Sequence, residues 1–284
     1  MNMSYDRSAT MEPVRGSASA ADQITLARNA DFAWDEFSSA EYVAHNYTAL
    51  RTDDAEILAL VSRWFAATAG SPGLAGLAGL DIGAGPNLYP TLAMLPYCER
   101  ITLREFSAAN VAWLREAAAA LPDQWAPYWQ LISPQDALGD FPQAAAALAK
   151  SAEVEQGSVF DLPAAAWDLG TMFFVAESIS QDPAEFDAAV VAFVRAIKPG
   201  GPFAAAFMEH SEGYQVAQQW YPATPVGEAD IRRSMEEVGD EVSVHRVEMN
   251  PAPLRPGYTG MIVATGRARR ARRPGSARRP EQGV

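Results

Sequence analysis

The sequence predicts an α/β fold of three layers, in which helices cover both faces of a mostly parallel sheet that ends in a C-terminal antiparallel hairpin. Between residues 53 and 239, short apolar runs alternate with segments of helical periodicity. This alternation is typical of strand–helix–strand units with parallel strands. Two further apolar runs, 242–249 and 260–265, follow with no helical segment between them, so they are expected to pair as the hairpin.

The N-terminal elements come first. Residues 1–28 are rich in Ser, Ala and polar side chains, so they are predicted to be disordered. Aromatic residues at helical spacing over 32–47 predict a packed pair of helices. A clear amphipathic helix is expected over 53–68, because its apolar residues share one face. The domain is therefore expected to span 29–266.

The sheet elements follow in alternation. The apolar runs predict strands at 78–82, 100–105, near Val154, at 167–175 and at 202–208. Helices are expected at 87–95, 108–120, 142–150, 183–197 and 227–239. Ser107 and Asp182-Pro183 are residues that favour helix starts. A segment at 122–152 that contains Trp125, Tyr128 and Trp129 is interpreted as an insertion into the fold.

Composition limits the class of protein. The 284 residues carry a formal net charge of −13, which disfavours general nucleic-acid binding. The tail at 267–284 holds seven Arg and one Glu, and it is predicted to be a disordered Arg-rich end. The single cysteine, Cys98, and the scattered histidines give no metal-ligand spacing, so no metal is expected. Without an apolar signal core or a membrane-length apolar run, a cytoplasmic protein that contacts no membrane is expected.

The most informative motif is the segment 80–87, an apolar run that ends in Asp81 and continues as Gly-x-Gly. A strand that turns on glycines into a helix brings backbone N–H groups close to a ligand. The next predicted strand ends in a second acid, Glu105. An acid at that position can accept hydrogen bonds from both hydroxyls of a ribose. The two features together predict a nucleoside-cofactor site, although the motif alone is also compatible with a plain tight turn.

The motif favours one cofactor over another. A dinucleotide fingerprint has a third glycine where this chain has Leu88, and Pro86 follows the second glycine. The turn is therefore poorly suited to bind a pyrophosphate, which disfavours NAD as the cofactor. S-adenosyl-L-methionine (SAM) has a ribose and an adenine but no phosphate, so it is the preferred interpretation.

Four segments add up to a family resemblance. They are 37–47 with its two tyrosines, 81–89 ending in Gly-Pro-x-x-Tyr, 101–107, and Lys-Pro-Gly-Gly at 198–201. Over roughly 32–266 the chain resembles the class I SAM-dependent methyltransferases, within the branch of nicotinamide, phenylethanolamine and indolethylamine N-methyltransferases. The resemblance implies a Rossmann-like methyltransferase fold, SAM as the cofactor, and an enzyme that methylates a small molecule at an amine or pyridine-type nitrogen.

The resemblance also implies roles for individual residues. It places Tyr42 and Tyr47 over SAM, with Tyr47 next to the reaction, and it places Glu209 against the amine substrate. The other expected cofactor contacts are Gly83, Gly85, Asn87 and Tyr89 around the methionine half, Glu105 and Asn110 at the ribose, and Ser158 and Val159 beside adenine. Glu105 stands where the family has Asp and is a longer acid. Ser158 also stands where the family has Asp, so adenine recognition is expected to shift to Asp161 or to backbone groups.

Three alternatives remain open at this point. The chain is also compatible with a small-molecule O-methyltransferase, with a different nucleotide-cofactor enzyme such as an NAD enzyme, and with a non-catalytic SAM-binding or nucleic-acid-binding module that uses the Arg-rich tail. A small-molecule substrate is the expected partner, nucleic acid is disfavoured, and a monomer is the preferred oligomeric state. The acceptor itself is not specified by the sequence.

Overall fold

A computed structural model describes residues 26–73, 76–132, 138–248, 254–255 and 257–270. The strands are β1 Leu77–Ile82, β2 Cys98–Glu105, β3 Ala152–Gln156, β4 Leu169–Phe173, β5 Pro202–Glu209, β6 Gly213–Val216, β7 Gln219–Pro222, β8 Gly239–Glu248 and β9 Gly260–Ala268. The helices are α1 Ser39–Asn46, α2 Thr52–Thr68, α3 Tyr89–Met94, α4 Ala108–Ala119, α5 Ala126–Trp129, α6 Phe141–Ser151, α7 Pro183–Ala196 and α8 Glu228–Val238.

One seven-stranded sheet organises the molecule, in the order β3-β2-β1-β4-β5-β9-β8. The strands β1 to β5 pair in parallel, and β9 runs antiparallel to both β5 and β8. The predicted α/β fold with a C-terminal antiparallel hairpin is therefore confirmed. The strand order reverses between β1 and β4, and a crevice outside the carboxyl ends of the strands at such a point is where open α/β sheets bind ligands.

Two hydrophobic cores lie on opposite faces of the sheet. On one face, α2 and α4 bury apolar residues such as Phe65 and Leu114 in one core with Ile101 and Leu103 of β2. Helix α2 lies over β5, β8 and β9, and helix α4 lies over β2 and β3. On the other face, α7 and α8 pack against residues that include Leu80 of β1. Alternate strand residues point to opposite faces, so β4, β5 and β9 contribute to both cores. Full burial of one such side chain stabilises the fold by roughly 1.5–3 kcal/mol.

The N-terminal part differs from the prediction. Only Ser39–Asn46 is α-helical between 32 and 47, so the predicted helix pair is wrong. The preceding residues form two short 3-10 turns, Asn29–Asp31 and Trp34–Glu36. The reason is tertiary packing: the Trp34 ring stacks on Tyr221 at 5.1 Å, which fixes the chain in an irregular path across the molecule.

The extents of individual strands also differ from the prediction. Strand β4 is shorter than predicted because Trp167 lies outside it and forms only an isolated bridge with Ile197. Strand β9 continues to Ala268, where Arg267 donates to the carbonyl of Gly200 at 3.0 Å, so the sheet extends past residue 266. The hairpin β6–β7 was not predicted at all. The expected disorder of the two ends falls mainly on 1–25 and 271–284, which lie outside the described residues.

Within the described part of the chain, no helix combines the length and the apolar character that crossing a membrane requires.

Candidate functional site

A cleft opens at the carboxyl ends of β1, β2 and β4, next to the point where the strand order reverses. Its space amounts to about 790 Å³, including the part that is open to solvent. Nine of the residues that the sequence analysis singled out line it: Tyr42, Tyr47, Gly83, Gly85, Asn87, Glu105, Asn110, Ser158 and Val159. These residues from four separate parts of the chain therefore meet in one place, as expected of a binding site.

The glycine turn after β1 forms the floor of the cleft. Gly83 has a φ of +63° and Gly85 a φ of +51°, a left-handed conformation that side chains rarely adopt. A Cβ atom on Gly83 would lie 2.6 Å from the Cγ2 atom of Val175, so only glycine fits there. The backbone N–H of Gly85 donates to the Oε2 atom of Glu105 at 2.9 Å.

Glu105 is fixed at the tip of β2. Its Oε1 atom accepts the backbone N–H of Ser107 at 2.8 Å, so each carboxylate oxygen is held by one N–H group. Burial raises the pKa of Glu105, and hydrogen bonds from Ser107, Gly85, Asn110 and Phe106 oppose that rise. An acid at the tip of this strand can accept hydrogen bonds from the hydroxyls of a ribose. This arrangement fits a ribose.

Two segments cover the cleft. The N-terminal segment contributes Asn29 and Trp34 to the cleft wall, and the Trp34 indole N–H donates to the Asn29 carbonyl at 2.9 Å. The hairpin β6–β7 lies against this segment. Together they form a small hydrophobic group that we call the lid cluster: Phe37, Tyr214, Val216 and Tyr221, with Trp34 and Tyr42 packed against it. The lid cluster is separate from the two sheet cores.

The lid is joined to the cofactor side of the cleft through α1. The hydroxyl of Ser39 donates to the Oδ1 atom of Asn110 at 2.7 Å, which ties α1 to the first turn of α4. Tyr42 lies 5.9 Å from Tyr47, ring centre to ring centre, in an edge-on contact. The position of both tyrosines on the cleft wall is consistent with the closing role expected of them, which stays a prediction.

Tyr47 is suited to hydrogen bonding and not to proton abstraction. Its side chain is buried, and burial together with the neighbouring Tyr42 raises its pKa well above the usual value of 10.0. The hydroxyl is therefore neutral at physiological pH. A neutral phenol donates a hydrogen bond but is a very weak base.

Three of the expected site residues, Tyr89, Glu209 and Asp161, do not line the cleft. Tyr89 is fully buried behind Tyr47; its hydroxyl donates to Asp54 at 3.1 Å, and its ring stacks on Tyr128 at 5.5 Å. The burial of Tyr89 follows from its place at the start of α3, whose residues all pack inward. The structure brings its ring near the cleft but keeps its hydroxyl in the core.

Glu209 is the second. Its Oε2 atom accepts the Nε–H of Arg246 at 2.9 Å and the hydroxyl of Thr259 at 2.8 Å. Burial would raise the pKa of Glu209, but these bonds from Thr259 and Arg246 hold it below its usual value. The carboxylate links β5 to β8 and β9, and it is not among the residues that line the cleft. The structure therefore does not bring Glu209 together with the other site residues.

Sequence reasoning missed several residues on the cleft wall. They are Phe174, Val175, Ser178 and Ile179 after β4, Trp34 and Phe106, Tyr214 of β6, and Arg255 before β9. Phe174 has a φ of +59°, a strained conformation for a bulky residue, and such strain is concentrated at functional sites. The alternation of apolar and polar residues over 213–216 was the available signal for β6. Arg255 lies outside any periodic segment, so the sequence offered no signal for its place on the cleft wall.

A buried acid behind the cleft leads to a prediction about pH. Burial, followed by the nearby Asp53, raises the pKa of Asp54 from 3.8 to about 7. A raised carboxyl pKa means that the folded state binds the proton more tightly, so stability falls as the pH rises from about 4 towards 7. We expect Asp54→Asn to remove this loss. Relative to wild type, the variant should gain about 2 kcal/mol of unfolding free energy between pH 5 and pH 8, since one pKa unit is about 1.4 kcal/mol.

Urea unfolding at the two pH values measures this gain, with exposed Asp123 changed to Asn as the control. Equal shifts of the free energy of unfolding at both pH values would show that Asp54 does not titrate in this range.

The comparisons with known proteins agree on the class. The sequence profile of the NNMT/PNMT/TEMT family matches residues 25–256. Phenylethanolamine N-methyltransferase from Sus scrofa is 26% identical over 245 residues, which is 79% of this chain and 85% of the relative. Human phenylethanolamine N-methyltransferase is also 26% identical over 245 residues, with the same coverage.

Among solved structures, the cyclase SpnF has a TM-score of 0.50 at 15% identity, covering 78% of this chain and 84% of its own. At so low an identity the likeness shows the fold alone, and a neighbour named as a cyclase illustrates that this fold does not by itself define the reaction.

The cleft also fits SAM on its own features. The Glu105 carboxylate suits a ribose, and the glycine turn leaves room that a Cβ atom on Gly83 would fill. Among the described residues, no group of three or more His, Cys, Asp or Glu side chains is arranged to hold a metal ion. The chain therefore belongs to the NNMT/PNMT/TEMT family, and its predicted activity as a SAM-dependent methyltransferase is confirmed.

Proposed function

We propose that the chain methylates a nitrogen of a small organic acceptor that binds between the glycine turn and the lid cluster. The observation that carries the proposal is one continuous cleft with two different ends. One end holds the fixed carboxylate of Glu105, and the other is lined by the aromatic and aliphatic side chains of Phe174, Ile179 and Tyr214. The first end suits a nucleoside, and the second suits the apolar part of an acceptor.

The cofactor roles follow from the positions on the wall. We assign the ribose hydroxyls to Glu105, the adenine border to Ser158 and Val159, and the methionine half to the glycine turn with Asn87. Bound SAM supplies an activated methyl group on a sulfonium. The task left to the protein is to hold the nitrogen in line with that group and to exclude water, which supplies several kcal/mol of barrier reduction in oriented reactions.

The lid cluster is the part of the chain that excludes water. Tyr42 and Tyr214 contribute both to the lid cluster and to the cleft wall, so closing the lid shapes the acceptor end at the same time. Trp34 does the same from the N-terminal segment. We propose that acceptor binding orders these three side chains, which supports the expected closing role of Tyr42.

Proton transfer has a small part in this site. The hydroxyl of Tyr47 is too weak a base, and the carboxylate of Glu209 is occupied by Arg246. A pyridine-type nitrogen is already neutral and needs no base, whereas an alkylamine has to lose a proton before it attacks. We therefore propose an acceptor nitrogen that is neutral when it binds, or that releases its proton to water.

A transfer assay tests the function. Radiolabelled SAM is incubated with the protein and a panel of amines, pyridines and phenols, and the methylated atom is identified by nuclear magnetic resonance of the product. We expect label on nitrogen. Transfer to phenols alone would replace the proposal with O-methylation. Tight binding of SAM without transfer to any acceptor would favour the non-catalytic alternative.

Glu209→Gln is expected to change stability more than turnover. The carboxylate contacts Arg246 and Thr259, so its loss weakens the link between β5 and its neighbouring strands. We expect the melting temperature to fall by about 2–4 °C, since a partly exposed ion pair contributes up to about 1 kcal/mol. The kcat/KM for the best nitrogen acceptor should stay within about twofold.

Differential scanning calorimetry and the transfer assay measure the two effects. A fall of tenfold or more in kcat/KM with an unchanged melting temperature would instead give Glu209 the substrate contact first expected of it.

A further inference from the structure

Arg255 is a buried cation on the wall of the cleft. It precedes β9, and only 8% of its surface is exposed. Its Nη1 atom donates to the hydroxyl of Ser178 at 2.8 Å, and its Nη2 atom lies 3.5 Å from the hydroxyl of Tyr42. Its Cζ atom lies 4.0 Å from the centre of the Tyr214 ring. These contacts hold the guanidinium in place and leave it facing the acceptor end.

The charge of Arg255 has no carboxylate at ion-pair distance within the described part of the chain. Every ion pair found there at 4.0 Å or less involves another cation. An arginine in a protein is always protonated, and a buried charge is costly unless it is paired. The contacts with Ser178, Tyr42 and Tyr214 are neutral, so they offset only part of this cost.

The nearest acid does not supply the missing partner. Glu177 is fully buried; its Oε1 atom accepts the backbone N–H of Met208 at 2.9 Å, and its Oε2 atom has no hydrogen-bond partner. Burial raises the pKa of Glu177 to about 7, and the charge of Arg255 opposes this rise. The two charges therefore act on each other, although they form no ion pair at 4.0 Å or less. Glu177 does not line the cleft, so Arg255 is the charge that a ligand at the acceptor end meets.

We propose that the acceptor carries a carboxylate, in addition to the nitrogen that receives the methyl group, and that Arg255 binds this carboxylate. The inference rests on the proposed function and names its substrate class: an amino acid or a nitrogen-containing aromatic acid. A guanidinium matches a carboxylate with two parallel N–H bonds, and the hydroxyls of Ser178 and Tyr42 stand beside it as further donors. A bare ammonium at this place would meet a like charge.

SAM has a carboxylate of its own, which is the second source of the same chemistry. Two of the three contacts of Arg255, Ser178 and Tyr214, come from the segment after β4 and from β6, and none comes from the glycine turn or from Glu105. The third is Tyr42 of α1, which is also expected over SAM. This placement assigns Arg255 to the acceptor. The experiment below separates the two sources. If Arg255 binds the carboxylate of the acceptor, its loss weakens acceptor binding; if it binds the carboxylate of SAM, its loss weakens cofactor binding.

The test uses matched ligand pairs that differ in a carboxylate. Phenylalanine is compared with phenethylamine, and pyridine-3-carboxylate with pyridine-3-carboxamide, by calorimetry on the full chain saturated with S-adenosylhomocysteine. We expect the carboxylate member of at least one pair to bind about tenfold tighter or more, since a charge-assisted hydrogen bond is commonly worth a factor of that size. If neither pair favours the carboxylate, the proposal is wrong.

Variants then test whether Arg255 causes the preference for the carboxylate ligand. In Arg255→Gln, the ratio of the affinities for the carboxylate ligand and its partner should fall to within about threefold of one. Arg255→Lys keeps the charge, so this variant should still bind the carboxylate ligand more tightly. Arg246→Gln, which removes an arginine outside the cleft, should leave the ratio unchanged. The affinity for S-adenosylhomocysteine should stay within about twofold in all three variants.

Two outcomes would overturn the proposal at this stage. An unchanged ratio in Arg255→Gln would remove Arg255 from the acceptor site. A fall of tenfold or more in S-adenosylhomocysteine affinity in that variant would assign Arg255 to the carboxylate of SAM. The proposed function is judged separately by the transfer assay, because nitrogen methylation without a carboxylate preference refutes only the role of Arg255.

Discussion

Glu105→Ala is expected to weaken the binding of SAM and of S-adenosylhomocysteine by at least about tenfold. A hydrogen bond to a charged group contributes roughly 1.5–3 kcal/mol, and 1.4 kcal/mol corresponds to a factor of ten. Glu105 is 7% exposed, and its carboxylate is held by the N–H groups of Gly85 and Ser107. The side chain therefore loses little conformational entropy when it binds a ribose. Calorimetry with S-adenosylhomocysteine measures the loss of affinity.

The same substitution leaves those two N–H groups without their acceptor, so the melting temperature has to be measured alongside. Glu105→Gln keeps an oxygen acceptor and removes the charge, and we expect an intermediate affinity. Glu155→Ala removes a half-exposed carboxylate from the neighbouring strand β3 and should leave the affinity unchanged. If Glu105→Ala binds as tightly as wild type while it remains folded, the ribose role of Glu105 is wrong.

The parts of the site that the sequence predicted best are those with a local cause. A strand, a glycine turn and a helix follow one another within 77–94, and Glu105 ends the next strand in sequence. The parallel pairing of β1 with β2 then brings the turn and the acid together without any further information. The left-handed conformation of Gly83 and Gly85 could likewise be predicted, because a sharp turn from strand to helix requires it.

For the residues whose roles were predicted from the family resemblance, the position in the sequence did not determine where the side chain points. Tyr89 stands where expected along the chain, but its hydroxyl bonds to Asp54 of α2, a helix that packs on α3. Glu209 ends β5 as predicted, but its partner Arg246 comes from β8, which reaches it through the antiparallel strand β9. The direction of a side chain depends on such partners, and one sequence does not reveal them.

The acceptor end was the least predictable part of the site. The strands β6 and β7 have four residues each, too few for a secure periodic pattern. Arg255 lies between two prolines in the sequence and belongs to no helix or strand. Its place beside Tyr214 arises only when the lid cluster and the β8–β9 pair are assembled, so tertiary structure had to reveal it.

Gly83→Ala is expected to lower the affinity for S-adenosylhomocysteine by about tenfold or more and to lower the melting temperature. An added Cβ atom would lie 2.6 Å from Cγ2 and 2.7 Å from Cγ1 of Val175, which also lines the cleft. Overpacking of this kind commonly costs about 1–3 kcal/mol, and a left-handed alanine adds roughly 1–2 kcal/mol. The glycine turn then has to shift, and it forms the floor on which the cofactor is expected to rest.

Two further variants separate the clash from the backbone strain. Gly76→Ala imposes a left-handed alanine at a φ of +56°, but the nearest atom to its Cβ lies 3.9 Å away and the residue is not on the cleft wall. It should lower the melting temperature alone. The double variant Gly83→Ala, Val175→Ala removes the methyl groups that the new Cβ atom meets, so it should recover part of the lost affinity relative to Val175→Ala. An affinity no better than that of Gly83→Ala would show that the clash is not the cause. Wild-type affinity in Gly83→Ala itself would move the cofactor away from the glycine turn.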